Sequence, residues 1–316
     1  MKQRVVILIL FWLGVGEISI WAGQSEVIDS VGNGEINWSR GVILAKGSGA
    51  PPKEAKNIAQ ARLMAERAAL SDARRNLLEV LRGVQVDSVT TVENYMVKND
   101  QIRLSAEGCI QGSTELKEQR RYLSDGAIEV TVAMNLTGDF LTLMLSQAKE
   151  LKVPKEPVAE KPFSQPPSIP SPKKAEPSPE PPKGKIEEKR VWETKPLPAL
   201  ADLPKFTGLV IDARGLNMRA ALIPRILDEM GQEIYQGQYV LPEKAGQTGV
   251  ALYARDLTAA QTNPRVGKNP LTVKGWKVNP SNPSEVILSA EEAKRVTPFA
   301  RKGTFLEECQ VMIVLD

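Results

Sequence analysis

Apolar residues take alternate positions at Ile36, Trp38, Val42 and Leu44, with Asn37, Ser39, Ile43 and Ala45 between them. This two-residue period predicts a half-buried strand that Arg40 interrupts and Gly41 kinks. Gly47-Ser48-Gly49-Ala50-Pro51-Pro52 reads as the corner that ends it, because glycine and proline punctuate regular structure. From Lys53 to Arg82 the chain has neither glycine nor proline and is rich in Ala, Leu, Arg and Glu. Ala59, Leu63, Leu70, Ala73, Leu77 and Leu81 recur at helical spacing, with Val80 at the edge of the stripe, so this stretch is predicted to be a long amphipathic helix. Its alanines permit close approach to a supporting sheet, and Gly83 stands where a left-handed C-terminal cap is expected.

Beyond the helix, Val84, Val86, Thr90 and Val92 predict an extended segment, and Ile102 to Tyr122 a long irregular strand with bulges at Gly108 and Gly112. Ile128, Val130, Val132, Met134 and Leu136 alternate with polar or small residues after the turn Ser124-Asp125-Gly126, which predicts the second arm of an antiparallel hairpin. A closing helix is expected over Phe140 to Lys149, and Gln24 to Gly34 reads as a loose lead-in. Further on, Phe206 to Ile211 is a short apolar run, Gly249 to Tyr253 another candidate strand, and Thr262 to Pro283 mostly loop around a short Leu271-Thr272-Val273 strand. Val286-Ile287-Leu288 leads through Ser289, with Glu292 completing a capping box, into a helix over Ala290 to Arg295, and Gln310 to Leu315 ends the chain as a strand. That strand–helix–strand order suggests a βαβ crossover. The predicted fold class is α/β (α+β): a long helix on a small, mainly antiparallel sheet, then a second small α/β domain.

Composition divides the chain. Residues 1–22 carry a basic start (Lys2, Arg4), an apolar core from Val5 to Val15 and Ile20-Trp21-Ala22 before Gly23, the layout of a secretory signal peptide, with an uncleaved anchor as the alternative. Cleavage would leave no transmembrane span and place the protein in the periplasm. Residues 151–200 hold 13 of the 23 prolines among Lys, Glu and Ser, the composition of a disordered linker. Fully extended, such a spacer reaches on the order of 140 Å, enough for domains 35–150 and 201–316 to work at separated places; a passive tether is the plainer reading.

The chain contains no histidine, which removes Ser-His-Asp and Cys-His catalysis and the commonest zinc ligand. No catalytic, cofactor-binding or metal-binding residues are assigned, no cofactor is expected, and the protein is read as not an enzyme. A net charge of +3 gives no nucleic-acid footprint. Val210-Ile211-Asp212-Ala213-Arg214-Gly215 resembles the opening strand of zinc-dependent cell-wall amidases, but those bind zinc through histidine. Asp212 with Asp228 is the candidate carboxylate pair for glycan hydrolysis, set against two ordinary turn-formers. Gly47-Ser48-Gly49 is either a phosphate cradle or a plain corner. Arg120-Arg121 reads as a solvated basic face. Trp276 or Tyr253 would line an aromatic groove for a peptidoglycan-binding module. Cys109 and Cys309 either pair across the domains in an oxidising compartment or remain two buried thiols.

Glu35-Ile36-Asn37-Trp38-Ser39-Arg40-Gly41-Val42, Ala45-Lys46-Gly47-Ser48-Gly49-Ala50-Pro51, the helix Ala61 to Leu81 and Gly83-Val84-Gln85-Val86-Asp87-Ser88 occur in an order that resembles the LPP-type envelope lipoprotein family and the related N-terminal domain of the flagellar assembly protein T. The resemblance covers about residues 35–136. It implies a long helix packed on a sheet, a periplasmic or outer-membrane-associated place and no catalysis. The flagellar relative implies a part in building a ring around the motor's rod. The lipid-bearing cysteine of the lipoproteins is missing. The expected function is a structural or adaptor component of the envelope, in flagellar or other surface-appendage assembly, with basal-body or outer-membrane proteins as partners. Peptidoglycan binding and carboxylate-based glycan hydrolysis are the alternatives.

Overall fold

The computed structural model describes residues 26–87, 89–150, 203–236 and 240–316, with residues 147–150 as backbone only. The predicted signal peptide and proline-rich linker lie outside the described residues. The first sheet contains β1 (Ile28–Val31), β2 (Gly34–Asn37), β3 (Val42–Gly49), β4 (Thr114–Glu115), β5 (Arg121–Tyr122) and β6 (Ile128–Asn135). Its order is β1-β2-β3-β6-β4, β5 also pairs with β6, and every pairing is antiparallel. The expected lead-in is therefore largely a hairpin, turned at Gly32, whose φ of 54° suits glycine.

Strand β3 keeps the predicted period but with its phase reversed. Ile43, Ala45, Gly47 and Gly49 face inward, whereas Val42 and Leu44 are only half-buried. The four-residue turn Trp38–Gly41, with Gly41 at φ 66°, resets the alternation between β2 and β3, so a single period cannot be carried across it. The strand also runs through Gly47-Ser48-Gly49 instead of ending there. These glycines seat the long helix α1 (Ile58–Gly83), which buries Ala65, Ala69, Ala73, Leu77, Val80 and Leu81. A Cβ on Gly47 would stand 2.0 Å from the Ala73 nitrogen, and one on Gly49 2.2 Å from the Ala65 oxygen. Alanine over glycine brings the helix backbone against the strand, and larger side chains fill the space further along.

The stripe thus starts at Ala65; Ala59 and Leu63 are exposed. The N-cap is Asn57, whose side chain accepts a 2.8 Å bond from the Gln60 amide, so the helix begins later than its composition suggested. At the other end Gly83 stays in the helix and the chain leaves through Val84 in extended geometry, not through a left-handed cap. Polar residues of α1 also cover the edge that β3 leaves open beyond β2. Asn76 Nδ2 donates to the Lys46 carbonyl at 2.7 Å, and Asp72 Oδ2 accepts from the Ser48 amide at 3.0 Å.

After α2 (Val92–Lys98) comes α3 (Asp100–Gln111), where a strand was expected. Ile102, Ala106 and Ile110 are its buried residues, spaced by four, and Asn99 caps it by accepting from the amides of Gln101 and Ile102. Gly108 and Gly112 suggested bulges, but the helical spacing of the apolar residues prevails. Helix α4 (Asp139–Glu150) closes the unit.

The second sheet is mixed, with β7 (Gly208–Asp212), β8 (Arg225–Leu227), β9 (Glu233–Tyr235), β10 (Leu252–Ala254), β11 (Pro270–Asn279), β12 (Asn282–Leu288) and β13 (Val311–Val314) in the order β10-β13-β7-β11-β12-β8-β9. Helices α5 (Pro242–Thr248), α6 (Leu257–Thr262) and α7 (Ala290–Val296) flank it. Ser289 caps α7 by accepting from the Glu292 amide, as predicted, while the Glu292 carboxylate turns to Arg295 at 2.5 Å. Within the supposed loop over 262–283, residues 270–279 form β11 and β12 begins at Asn282, so the short Leu271-Thr272-Val273 strand is part of a longer one. β12 and β13 are not neighbours and run antiparallel, so α7 does not complete a βαβ crossover between them. Arg225 ties three strands together by pairing with Glu233 and, at 2.5 Å, with the buried Glu285. Together the two sheets form an α+β fold. One continuous buried apolar cluster runs through both, from Val27 to Leu315. The described parts of the two units are packed together.

Candidate partner-binding cleft between the two sheets

The seam is built mainly by the loop after β7. Gly215 donates its amide to the side-chain carboxylate of Asp316 at 2.7 Å, and Asn217 takes the left-handed conformation at φ 55°. The chain then runs along the first unit, where the amides of Leu222 and Ile223 donate to the carbonyls of Gln85 and Val86 at 2.9 and 2.8 Å. Tyr253 locks this run from behind: its hydroxyl accepts from the Ala221 amide at 2.9 Å and donates to the Ala221 carbonyl at 2.7 Å. Its ring meets Trp38 edge-on, with centroids 5.9 Å apart. Trp38 is buried and donates its indole N–H to Asp29 at 2.7 Å. At the far end of the seam the Gly138 amide donates to the Gly246 carbonyl at 2.5 Å.

Where the seam opens, it leaves a cleft of about 1010 Å³ between β1 and residues 217–220. Its lining includes Trp38 and Ile36, with Asp29, Arg219, Arg255 and Asp316 contributing charge. Arg255 closes one end by donating to the Glu26 carbonyl and to the Asp316 main-chain carbonyl. The bond from the Trp38 amide to the Val27 carbonyl makes 27/38 a hydrogen-bonded pair, and therefore also 29/36 and 31/34. The backbone groups of Ile28 and Ser30 consequently point away from β2, and β1 forms the open edge of its sheet. This arrangement can accept an extended segment as a further strand.

The residues singled out in the sequence take other places. Asp212 ends β7, whereas Asp228 follows β8, which runs antiparallel to β7 three strands away. They sit at opposite ends of the sheet, offset laterally by on the order of 14 Å. Asp212 is bound to Arg214 at 2.7 Å, which holds its carboxyl below the usual range, and Asp228 accepts from the amides of Met230 and Gln232 within its turn. The pair cannot act on one glycosidic bond. Gly47-Ser48-Gly49 lies in β3 with the Ser48 amide already bound to Asp72, so it forms neither corner nor phosphate cradle. Tyr253 is buried in the seam, and Trp276 is half-exposed on β11 with the Lys277 ammonium 4.0 Å from its ring, so the two form no shared aromatic groove.

Cys109 and Cys309 are both free thiols. Cys309 is fully buried, and burial pushes its thiol up to about 12. Beside it Arg265 donates to the Gly249 carbonyl at 2.6 Å and to the Val311 carbonyl at 2.9 Å, tying the end of α5 to β13. Among the described residues, no cluster of three His, Cys, Asp or Glu could hold a metal, and no helix is long and apolar enough to cross a membrane.

Arg120 is not part of a solvated face. Its guanidinium is bidentate on Glu115 (2.7 and 2.8 Å) and reaches Glu66 of α1 at 3.2 Å, while Arg121 is exposed. The bond from Arg120 holds the Glu115 carboxyl below its ordinary value. A depressed folded-state pKa contributes stability that is present at neutral pH, begins to fall near the unfolded value of about 4.3 and is gone below the folded one. Urea titrations at pH 7 and pH 3 should therefore show a smaller loss of stability for Glu115→Gln than for the parent. An equal loss would assign the acid sensitivity to other carboxylates.

The cleft was not visible in the sequence, because its walls come from a presumed lead-in and from a loop with no periodic signal. Ile36 and Trp38 were visible only as strand residues. The unit contributing the second wall has a counterpart among known proteins, since residues 208–316 match the second domain of Treponema pallidum Tp0624. None of the curated proteins matches the chain. The similarity thus covers the second sheet alone, and it stops short of the β1 edge that forms the other side of the cleft.

Proposed function

We propose that this chain is a non-enzymatic periplasmic protein, peripherally associated with the outer membrane, that acts as a structural or adaptor component of the envelope. The observation that carries this reading is the cleft, where the open β1 edge lies beside a rigid seam. Strand addition at such an edge gives affinity through backbone bonds, and the neighbouring side chains give selectivity. The resemblance of residues 35–136 to envelope and flagellar assembly domains supports the setting, with basal-body or other outer-membrane components as the partners.

The test uses a photocrosslinker at Ser30 in cells, followed by reconstitution of the captured protein with the purified chain. Ser30→Pro removes an outward-facing N–H, so the sheet itself should tolerate it while strand addition does not. The expected result is crosslinking to an envelope protein whose purified form binds the parent and loses at least about tenfold in affinity for Ser30→Pro. Recovery of cell-wall fragments alone would overturn the reading in favour of a peptidoglycan-binding module, and binding indifferent to Ser30→Pro would overturn the assignment of the partner to the β1 edge.

A further inference from the structure

A second concave surface lies between α1 and α3, a groove of about 760 Å³. Arg67, Leu70, Arg74 and Leu78 follow one another along α1 at spacings of three or four, so they line one wall. Across from them α3 presents Leu104, which is 60% exposed, and Gly108, where an added Cβ would meet nothing within 4 Å.

The charges here are uncompensated. Neighbouring arginines on both helices have internal partners: Arg62 with Glu66, Arg75 with Asp72 at 2.5 Å, Arg103 with Asp100 at 3.0 Å. Arg67 and Arg74 form no ion pair among the described residues, and the Nε of Arg74 is buried without a hydrogen-bond partner. The Nε is closed to a docking partner, so a partner's carboxylate would instead meet the terminal guanidinium nitrogens of Arg67 and Arg74. The ligand that matches two free guanidiniums flanking a leucine-lined trough is apolar on one face and acidic beside it. Glu107 also lines the trough but is paired with Arg103 at 3.7 Å, so it does not neutralise Arg67 or Arg74.

We propose that the α1–α3 groove docks an acidic amphipathic helix of a partner protein, its leucine-type anchors seated between Leu70, Leu78 and Leu104 and its carboxylates on Arg67 and Arg74. This surface is separate from the β1 edge and does not rest on the adaptor reading.

The test is selection of binders to the full chain from a displayed library of helical peptides randomised over three turns. The expected binders carry Leu or Ile at helical spacing with Glu or Asp beside them. Their affinity should fall at least roughly tenfold for Arg67→Glu/Arg74→Glu. Lysine-substituted versions of the same peptides should regain binding to that double variant. Gly108→Phe, which fills the trough and has a higher helix propensity than glycine, should also abolish binding with the circular dichroism unchanged. Binders without acidic bias, no binders, or binding that survives both variants would overturn the proposal. So would variants whose only effect is reduced co-sedimentation with phosphatidylglycerol vesicles, which would assign the arginines to a lipid surface.

Discussion

Gly47→Ala is expected to lower the unfolding free energy by about 3 kcal/mol or more, well beyond the usual cost of one added methyl in a core. The reason is what the methyl meets. Its nearest neighbours are backbone atoms, the Ala73 nitrogen at 2.0 Å and the Ala69 oxygen at 2.5 Å, and backbone cannot rotate aside as a side chain can. Helix α1 would have to lift off β3, opening the contacts of Ala65, Ala69 and Ala73 together. Urea midpoints with unchanged m values would measure the loss. Gly108→Ala is the control: its Cβ meets nothing, so it should gain about 0.5–1 kcal/mol from helix propensity. A loss for Gly47→Ala of less than about 1 kcal/mol would mean that the helix is not seated on this strand.

Trp38→Ala should cost about 3–5 kcal/mol, the range for emptying a large aromatic site. Trp38 is only 4% exposed, and it holds two things at once: the Asp29 carboxylate through its indole N–H and the Tyr253 ring edge across the seam. Its removal should therefore damage the seam more than either sheet. Calorimetry should then show a parent transition that is single and a variant transition that splits in two. A variant that still unfolds in one shifted transition would mean that Leu222, Ile223 and the α4–α5 contact carry the coupling without it.

The long helix was legible because its signal is local: a run without glycine or proline, and alanine and leucine at helical spacing. Strand β6 was legible for the same reason, by strict alternation. The reversed face of β3 was not, because the turn at Gly41 resets a period that was read straight through. Helix α3 carried a readable signal in Ile102, Ala106 and Ile110, which two glycines obscured. The seam had none, since Leu222 and Ile223 owe their burial to Gln85 and Val86, and no local pattern records a partner so distant. Asp212 and Asp228 illustrate the converse: their chemistry made them a candidate pair, and the strand order separates them.

The seam also sets the order in which this molecule matures. It joins positions separated in sequence by as many as 229 residues, as between Arg255 and Glu26. Loop closure over such distances is slow compared with the formation of a helix on its neighbouring strand. The first sheet draws all its strands from residues 28–135, so it is expected to form while Trp38 still lacks its cover. Docking of Tyr253 onto Trp38 is then expected late in folding, and a proteolysis time course during refolding should show cleavage near Trp38 persisting until that contact forms.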